Sequence, residues 1–187
     1  MTANARHSKN NPSWTTPPEI IEVCRAVLNG IALDPFSSAI ANQTVKAQKY
    51  FTPECDGFEQ DWDAPTVFVN PPGLTIKRSW HKVCQEIRHR NAASLAWVGF
   101  SIEQLALLAD PALKGETDIE RVSRGAWHPL DFSTVILRKR ISFVAEDGST
   151  GSPSHSNYLT FMNVPSEIVN REAGHLGLVF HGVLAVP

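Results

Sequence analysis

Apolar residues recur along this chain at two periods. Ile20, Ile21, Val23, Val27 and Leu28 share a helical spacing behind Pro17-Pro18-Glu19. The pattern predicts a helix starting at Pro17 or Pro18, where proline suits the first turn and Glu19 the positive end, and stopping at Asn29-Gly30. Ile31-Ala32-Leu33 then reads as a short buried strand that delivers Asp34 and is broken by Pro35, with a helical stretch expected over residues 37–42. Residues 44–51 are expected to form an amphipathic strand, and Thr66-Val67-Phe68-Val69 a buried one that ends at Asn70.

Residues 76–89 read as a helix with Trp80, Val83, Cys84 and Ile87 on one buried face, ringed by Lys77, Arg78, Lys82, Arg88 and Arg90. Residues 92–100 are an apolar strand, and Ser101 is placed to cap a helix carrying Glu103, Leu105, Leu107 and Leu108. Strands alternating with helices predict a parallel α/β sheet. The last third changes character. Residues 133–137, 141–145 and 157–162 are strand-like and residues 146–153 a long loop, which predicts a hairpin-like finish. Residues 176–186 are apolar enough to pack on the domain, with no structure assigned. Residues 1–13 are polar and expected to be flexible, leaving residues 14–187 as a single domain.

Composition narrows the picture further. A chain of 187 residues, 42% hydrophobic, can build one core without oligomerisation, and a formal charge of -2 lacks the overall basic signature of nonspecific nucleic-acid binders. Any nucleic-acid contact must therefore come from local patches, for which the basic residues of 77–90 and Arg138-Lys139-Arg140 are the candidates, the alternative being charged faces that serve solubility alone. Cys24, Cys55 and Cys84 are odd in number and widely separated, as expected of free thiols in a reducing compartment. Neither a membrane-spanning apolar run nor a signal-peptide pattern is present, so a cytoplasmic location is expected. The seven histidines have no metal-ligand spacing, and no metal is expected.

The most chemically suggestive segment is Asn70-Pro71-Pro72-Gly73. The first proline biases Asn70 toward an extended conformation and the prolines remove backbone donors, so the corner offers acceptors. If Asn70 Oδ1 and the Pro71 carbonyl accept both hydrogens of an aromatic amine, the nitrogen lone pair is drawn out of conjugation and becomes nucleophilic, as amino-methyl transfer requires. An ordinary strand-to-loop exit uses the same residues. In open α/β sheets ligands settle at the carboxyl ends of strands where the connections reverse, and both Asp34 and Asn70 are expected at such ends.

The chain resembles the small, phage-type DNA adenine-N6 methyltransferases, which use S-adenosylmethionine. The resemblance rests on Trp14-Thr15-Thr16-Pro17-Pro18-Glu19-Ile20-Ile21, on Leu33-Asp34-Pro35-Phe36-Ser37-Ser38 with Asn42, on Tyr50-Phe51-Thr52 leading to Asp56-Gly57-Phe58 and Asp61-Trp62, and on Val67-Phe68-Val69-Asn70-Pro71-Pro72, with a weaker echo in Arg140-Ile141-Ser142-Phe143 and residues 151–156. It implies a Rossmann-like methyltransferase fold: a mostly parallel sheet flanked by helices, with a C-terminal antiparallel hairpin.

Carried over to this sequence, Trp14, Thr15, Thr16 and Pro17 resemble the stretch closing over the methionine part of S-adenosylmethionine. Asp34, Pro35, Phe36 and Ser37 resemble the strand-end motif facing that part, where Asp34 would hold the cofactor's ammonium. Asp56, Gly57 and Phe58 resemble the position beside the cofactor's adenine. Asn70, Pro71, Pro72 and Gly73 would form the catalytic corner, Asn70 also bordering the cofactor. The plain alternatives are that Asp34 caps a turn, that Asp56-Gly57 is an ordinary turn dipeptide, and that Trp62 is core rather than pocket wall.

The implied reaction is transfer of a methyl group from a sulfonium to the N6 amine of an adenine extruded from DNA, carried mainly by positioning. The implied setting is the cytoplasm of the bacterial host of a phage or prophage, with restriction-modification as the implied context. One departure stands out: the family often has an aromatic after the second proline, and this chain has Gly73. Trp80, Trp97, Phe132 and His155 are the candidates to stack on the base instead, as His, Ser and Asn groups of residues 146–157 are for reading base edges. The alternatives are methylation of another planar amine, in RNA or elsewhere, and a catalytically weak nucleic-acid-binding homologue. Oligomeric state is open.

Overall fold

The computed structural model describes residues 14–108, 117, 120–121, 125–145, 149–151 and 155–182. The expected flexibility of residues 1–13 lies outside this set. Helix α1 (Pro18–Leu28) enters through Pro17, which is extended at ψ 152, and ends at Asn29, whose left-handed φ of 55 closes the last turn. Then come β1 (Leu33–Asp34), α2 (Ala41–Val45), β2 (Lys49–Tyr50), β3 (Ala64–Val69), α3 (Ile76–Arg88), β4 (Ala92–Gly99) and α4 (Glu103–Leu108). The remainder holds β5 (Ser133–Leu137), β6 (Phe143–Val144), β7 (Thr150–Gly151), β8 (Tyr158–Met162), α5 (Ser166–Ala173) and β9 (Gly177–Phe180).

Seven strands form one mixed sheet in the order β2-β1-β3-β4-β8-β5-β9, and β6 pairs with β7 in a separate hairpin. β2, β1, β3 and β4 are mutually parallel; β8 runs against both β4 and β5, and β9 against β5. Five of the seven strands thus point one way. The architecture is α/β with helices on both faces, compatible with a Rossmann-like fold.

Strand alternation sorts the core into two layers. Phe68, Ala96, Val98, Leu159 and Phe161 pack with Ile20, Ile21, Cys24, Val27 and Leu28 of α1 and with Val169 and Ala173 of α5. Leu33, Val67, Val69, Leu95, Trp97 and Met162 pack on the other face with Trp80, Val83, Cys84 and Ile87 of α3. The predicted buried face of α3 is therefore the observed one.

Several expectations need correction. The strand expected over residues 44–51 is only Lys49–Tyr50, because Thr44 and Val45 belong to α2. Asn42 ends that helix locally: its Oδ1 accepts from Ala47 N at 2.8 Å, its Nδ2 donates to the Ala47 carbonyl at 3.3 Å, and Lys46 turns left-handed at φ 48. α2 likewise replaces the helical stretch expected over residues 37–42. The loop expected over residues 146–153 contains β7, with Ala145 N donating to the Ser149 carbonyl at 2.8 Å across the hairpin. Residues 146–148 and 152–154 lie outside the described set. The unassigned tail supplies β9, which closes the sheet's far edge against β5.

Candidate functional site

β1 pairs with β3 with Leu33 opposite Val67. From β1 the chain moves outward to β2, then returns across β1 to start β3 on its other side. The order of connections reverses between β1 and β3, the position beyond whose carboxyl ends open α/β sheets bind ligands. Asp34 is the last residue of β1 and Asn70 follows the last residue of β3. A strand spacing near 4.8 Å and a rise near 3.3 Å put their Cα atoms roughly 8 Å apart. Phe68 faces α1 and Val69 faces α3, so both Asp34, after Leu33, and Asn70, after Val69, fall on the α1 side of the sheet.

The Asp34 turn is buried and polar. Asp34 Oδ1 accepts from Phe36 N at 3.2 Å, and the Asp34 carbonyl accepts from Phe51 N at 3.0 Å. Only 2% of the residue is exposed. Burial raises its carboxyl from an ordinary 3.8 to about 6, against smaller opposing effects of the neighbouring Ser37 hydroxyl and the Phe36 amide. Ser37 Oγ lies close enough to favour the charged carboxylate yet makes no hydrogen bond of ordinary geometry. It and Thr16 Oγ1 are both buried without a partner. An orphan hydroxyl beside a buried carboxylate at a strand end, with a second on the Trp14–Pro17 strap, is what a polar ligand would satisfy. Pro35 is also buried.

The Asp56 turn packs directly against this one. A Cβ on Gly57 would sit 1.9 Å from the Pro35 carbonyl oxygen, so only glycine permits the approach. Asp56 adopts φ 45 and its Oδ1 accepts from Phe58 N at 3.1 Å, an Asx turn that sets the loop. The Phe58 ring lies 4.6 Å from the Phe36 ring, and Arg78 stacks over Phe58 at 4.0 Å. Trp62 is fully buried and donates from Nε1 to the Gly57 carbonyl at 2.9 Å. It is core, supporting the loop from below.

At the Asn70 corner, Pro71 is buried while Pro72, Gly73 and Leu74 are exposed. The Pro72 carbonyl is taken by Thr75 N at 2.9 Å and Thr75 Oγ1 at 3.0 Å. No bond occupies the Pro71 carbonyl among the described residues. Asn70 Nδ2 faces the Trp14 carbonyl at 3.5 Å. Trp14-Thr15 crosses this corner on its way to Thr16, Pro17 and α1, and Thr15 pairs with Val144 of the β6–β7 hairpin. The structure thus gathers the four predicted segments at one edge of the sheet.

Other candidates are redistributed. Trp80 and Trp97 are buried and meet edge to face at 5.2 Å, and Phe132 is buried against Trp127 at 5.8 Å. None of these three can stack on an incoming base. His155 is exposed, but its Nδ1 pairs with Glu103 at 2.8 Å. The basic cluster of α3 is not one patch. Lys77 and Arg78 begin the helix next to the corner, whereas Arg88 lies about 18 Å along the axis and donates to the Gly125 carbonyl at 3.2 Å. Lys82 is neutralised by Glu86 at 2.6 Å, and Arg78 reaches Glu59 at 3.0 Å. By contrast Arg138, Lys139 and Arg140 are exposed in the turn after β5, which parallels β4 and so ends at the same edge as β1 and β3.

Among the described residues no cluster of His, Cys, Asp or Glu could hold a metal, and no helix is long and apolar enough to cross a membrane. Cys24 and Cys84 are buried and Cys55 exposed, none of them joined in a disulfide, and burial lifts the Cys24 thiol to about 12. Comparison with protein-family models, curated proteins and solved structures returns no match. Sequence reasoning missed the Gly57–Pro35 approach and the pairing of Thr15 with Val144, contacts that join segments distant in the chain.

Proposed function

We propose that the protein is an S-adenosylmethionine-dependent methyltransferase acting on the N6 amine of adenine extruded from DNA. The observation that carries this reading is the placement of Asp34 and Asn70 at the carboxyl ends of neighbouring parallel strands, on one face, where the connections reverse. Asp34, with Ser37 beside it, would hold the donor's ammonium end; Asp56, Gly57 and Phe58 would flank its adenine. S-adenosylmethionine supplies an activated methyl group. Asn70 Oδ1 and the Pro71 carbonyl accept the hydrogens of the target amine and orient its lone pair along the line of displacement. The N–C bond forms as the C–S bond breaks; the sulfonium leaves as a neutral thioether and needs no acid, and the methylated nitrogen, transiently cationic, releases one of its two protons to solvent.

Purified protein incubated with methyl-labelled S-adenosylmethionine and DNA places label on adenine N6, and Asn70→Ala abolishes it. Label on cytosine, or equal transfer by the variant, rejects the reading. The exposure of Gly73 and the burial of Trp80, Trp97 and Phe132 favour a second reading, in which the acceptor is another planar amine that needs no stacking partner. Transfer to RNA in preference to DNA at equal salt would select it.

A further inference from the structure

The strap Trp14-Thr15 is held on two sides, and the way it is held dictates how Asn70 presents its amide. On one side Thr15 N donates to the Val144 carbonyl at 2.8 Å, Val144 N donates to the Thr15 carbonyl at 3.0 Å, and Thr15 Oγ1 donates to the same Val144 carbonyl at 2.9 Å. Val144 is itself paired with Thr150 in the hairpin. In a trans peptide the C=O and N–H point in opposite directions, and the described chain has no cis bond. Aiming Thr15 N–H at Val144 therefore aims the Trp14 carbonyl away from the hairpin, toward Asn70.

A carbonyl can only accept, so the amide nitrogen of Asn70 is the end that turns to it, at 3.5 Å. Oδ1 is left pointing away from the strap. The second hold is steric: a Cβ on Gly151 would lie 2.6 Å from Trp14 Cη2, 2.9 Å from Cζ3 and 3.3 Å from Cζ2. The outer edge of the indole is thus seated on Gly151, and the seat exists only because position 151 has no side chain.

We propose that Gly151 is a positioning residue: through the Trp14 indole and the Trp14–Thr15 peptide, the β6–β7 hairpin sets the amide of Asn70 so that its oxygen faces the acceptor amine. The inference rests on the methyl-transfer reading for its consequence, but its structural half can be measured without catalysis. A Cβ at 151 displaces the strap, frees the Asn70 amide to rotate, and removes half of the two-acceptor grip. Misplacement of about 1 Å in such a grip costs roughly 10- to 100-fold in turnover.

The test uses the full chain as wild type, Gly151→Ala, Trp14→Phe and the double variant. Phenylalanine lacks the outer indole edge that the new methyl group meets, so Trp14→Phe should accommodate Gly151→Ala. The side-chain NH2 resonances of Asn70, identified by their loss in Asn70→Ala, should shift in Gly151→Ala and return in the double variant toward their positions in Trp14→Phe. At saturating DNA and S-adenosylmethionine, kcat should fall roughly 10-fold or more in Gly151→Ala and recover in the double variant to within about threefold of Trp14→Phe. Unmoved NH2 resonances, or a loss that Trp14→Phe does not rescue, overturns the positioning role. Moved and rescued resonances in a protein that transfers no methyl group keep the hairpin-to-Asn70 coupling and overturn the methyltransferase reading instead.

Discussion

Replacing Asp34 by Asn should stabilise the unliganded protein while removing its hold on a cationic ligand. The folded carboxyl keeps its proton to about pH 6, whereas the ordinary value is 3.8. Between those values the folded state binds more protons than the unfolded chain, so this group's contribution to stability falls as pH rises through the window. The gap corresponds to a penalty of about 3 kcal/mol once both forms are ionised, with roughly half present by pH 5 and essentially all by pH 8. Asn keeps an oxygen to accept from Phe36 N without the buried charge. The difference in urea unfolding free energy between Asp34→Asn and wild type should therefore grow with pH, by about 1 to 2 kcal/mol from pH 5 to pH 8, other carboxylates cancelling in the difference. Binding of S-adenosylmethionine, followed by calorimetry, should be lost in the variant and should weaken in wild type as pH falls below about 6. A pH-independent difference in stability would refute the burial argument, and undiminished cofactor binding by Asp34→Asn would refute the role of the charge.

Three further outcomes follow from the same geometry. Gly57→Ala must move the Pro35 carbonyl by more than 1 Å from its 1.9 Å clash, so it should cost about 1 to 3 kcal/mol in thermal or urea unfolding and weaken cofactor binding together; intact binding would separate the Asp56 turn from the site. Gly73→Tyr supplies the stacking ring that Trp80, Trp97 and Phe132 cannot, and should raise transfer to duplex DNA roughly fivefold or more without altering the fold by circular dichroism. No gain would mean that another group already covers the base. Replacing Arg138, Lys139 and Arg140 together by Ala should weaken DNA binding and reduce the slope of log affinity against log salt by up to about 3, leaving cofactor affinity unchanged; an unaltered slope would place the phosphate track elsewhere.

Much of the parallel half of the sheet was legible because its signals are local. Pro17-Pro18 at the start of α1, Asn29-Gly30 at its end, the apolar run into Asn70 and the helical spacing of Trp80, Val83, Cys84 and Ile87 each mark one element within a few residues. Strand-end residues of neighbouring parallel strands could be expected to meet at a reversal of the connections, and Asp34 and Asn70 do lie there. What was not legible depends on distant partners. The shortened β2 follows from the Asn42 side chain binding the Ala47 backbone, the β7 strand from closure of the hairpin, and β9 from the open edge of β5. Trp80, Trp97 and Phe132 have the composition of stacking candidates, but their fate is decided by which face of which element they occupy. In the sequence Gly57 reads as a cofactor-side or turn position and Gly151 as part of a loop, and only the packing of Pro35 and Trp14 against them shows why a side chain is excluded.

On the proposed function, the Asp34 and Asn70 turns line one site for a sulfonium donor and a planar amine. The decisive experiment titrates S-adenosylmethionine, and then adenine-containing DNA, into nitrogen-15-labelled protein. Cofactor should perturb amides of residues 14–16, 34–37 and 56–58, and DNA should then perturb those around Asn70 and Gly73 together with residues 138–140. Absence of cofactor binding, or perturbations confined to the groove formed by Leu74, Arg78, Gln104 and Leu107, would contradict it.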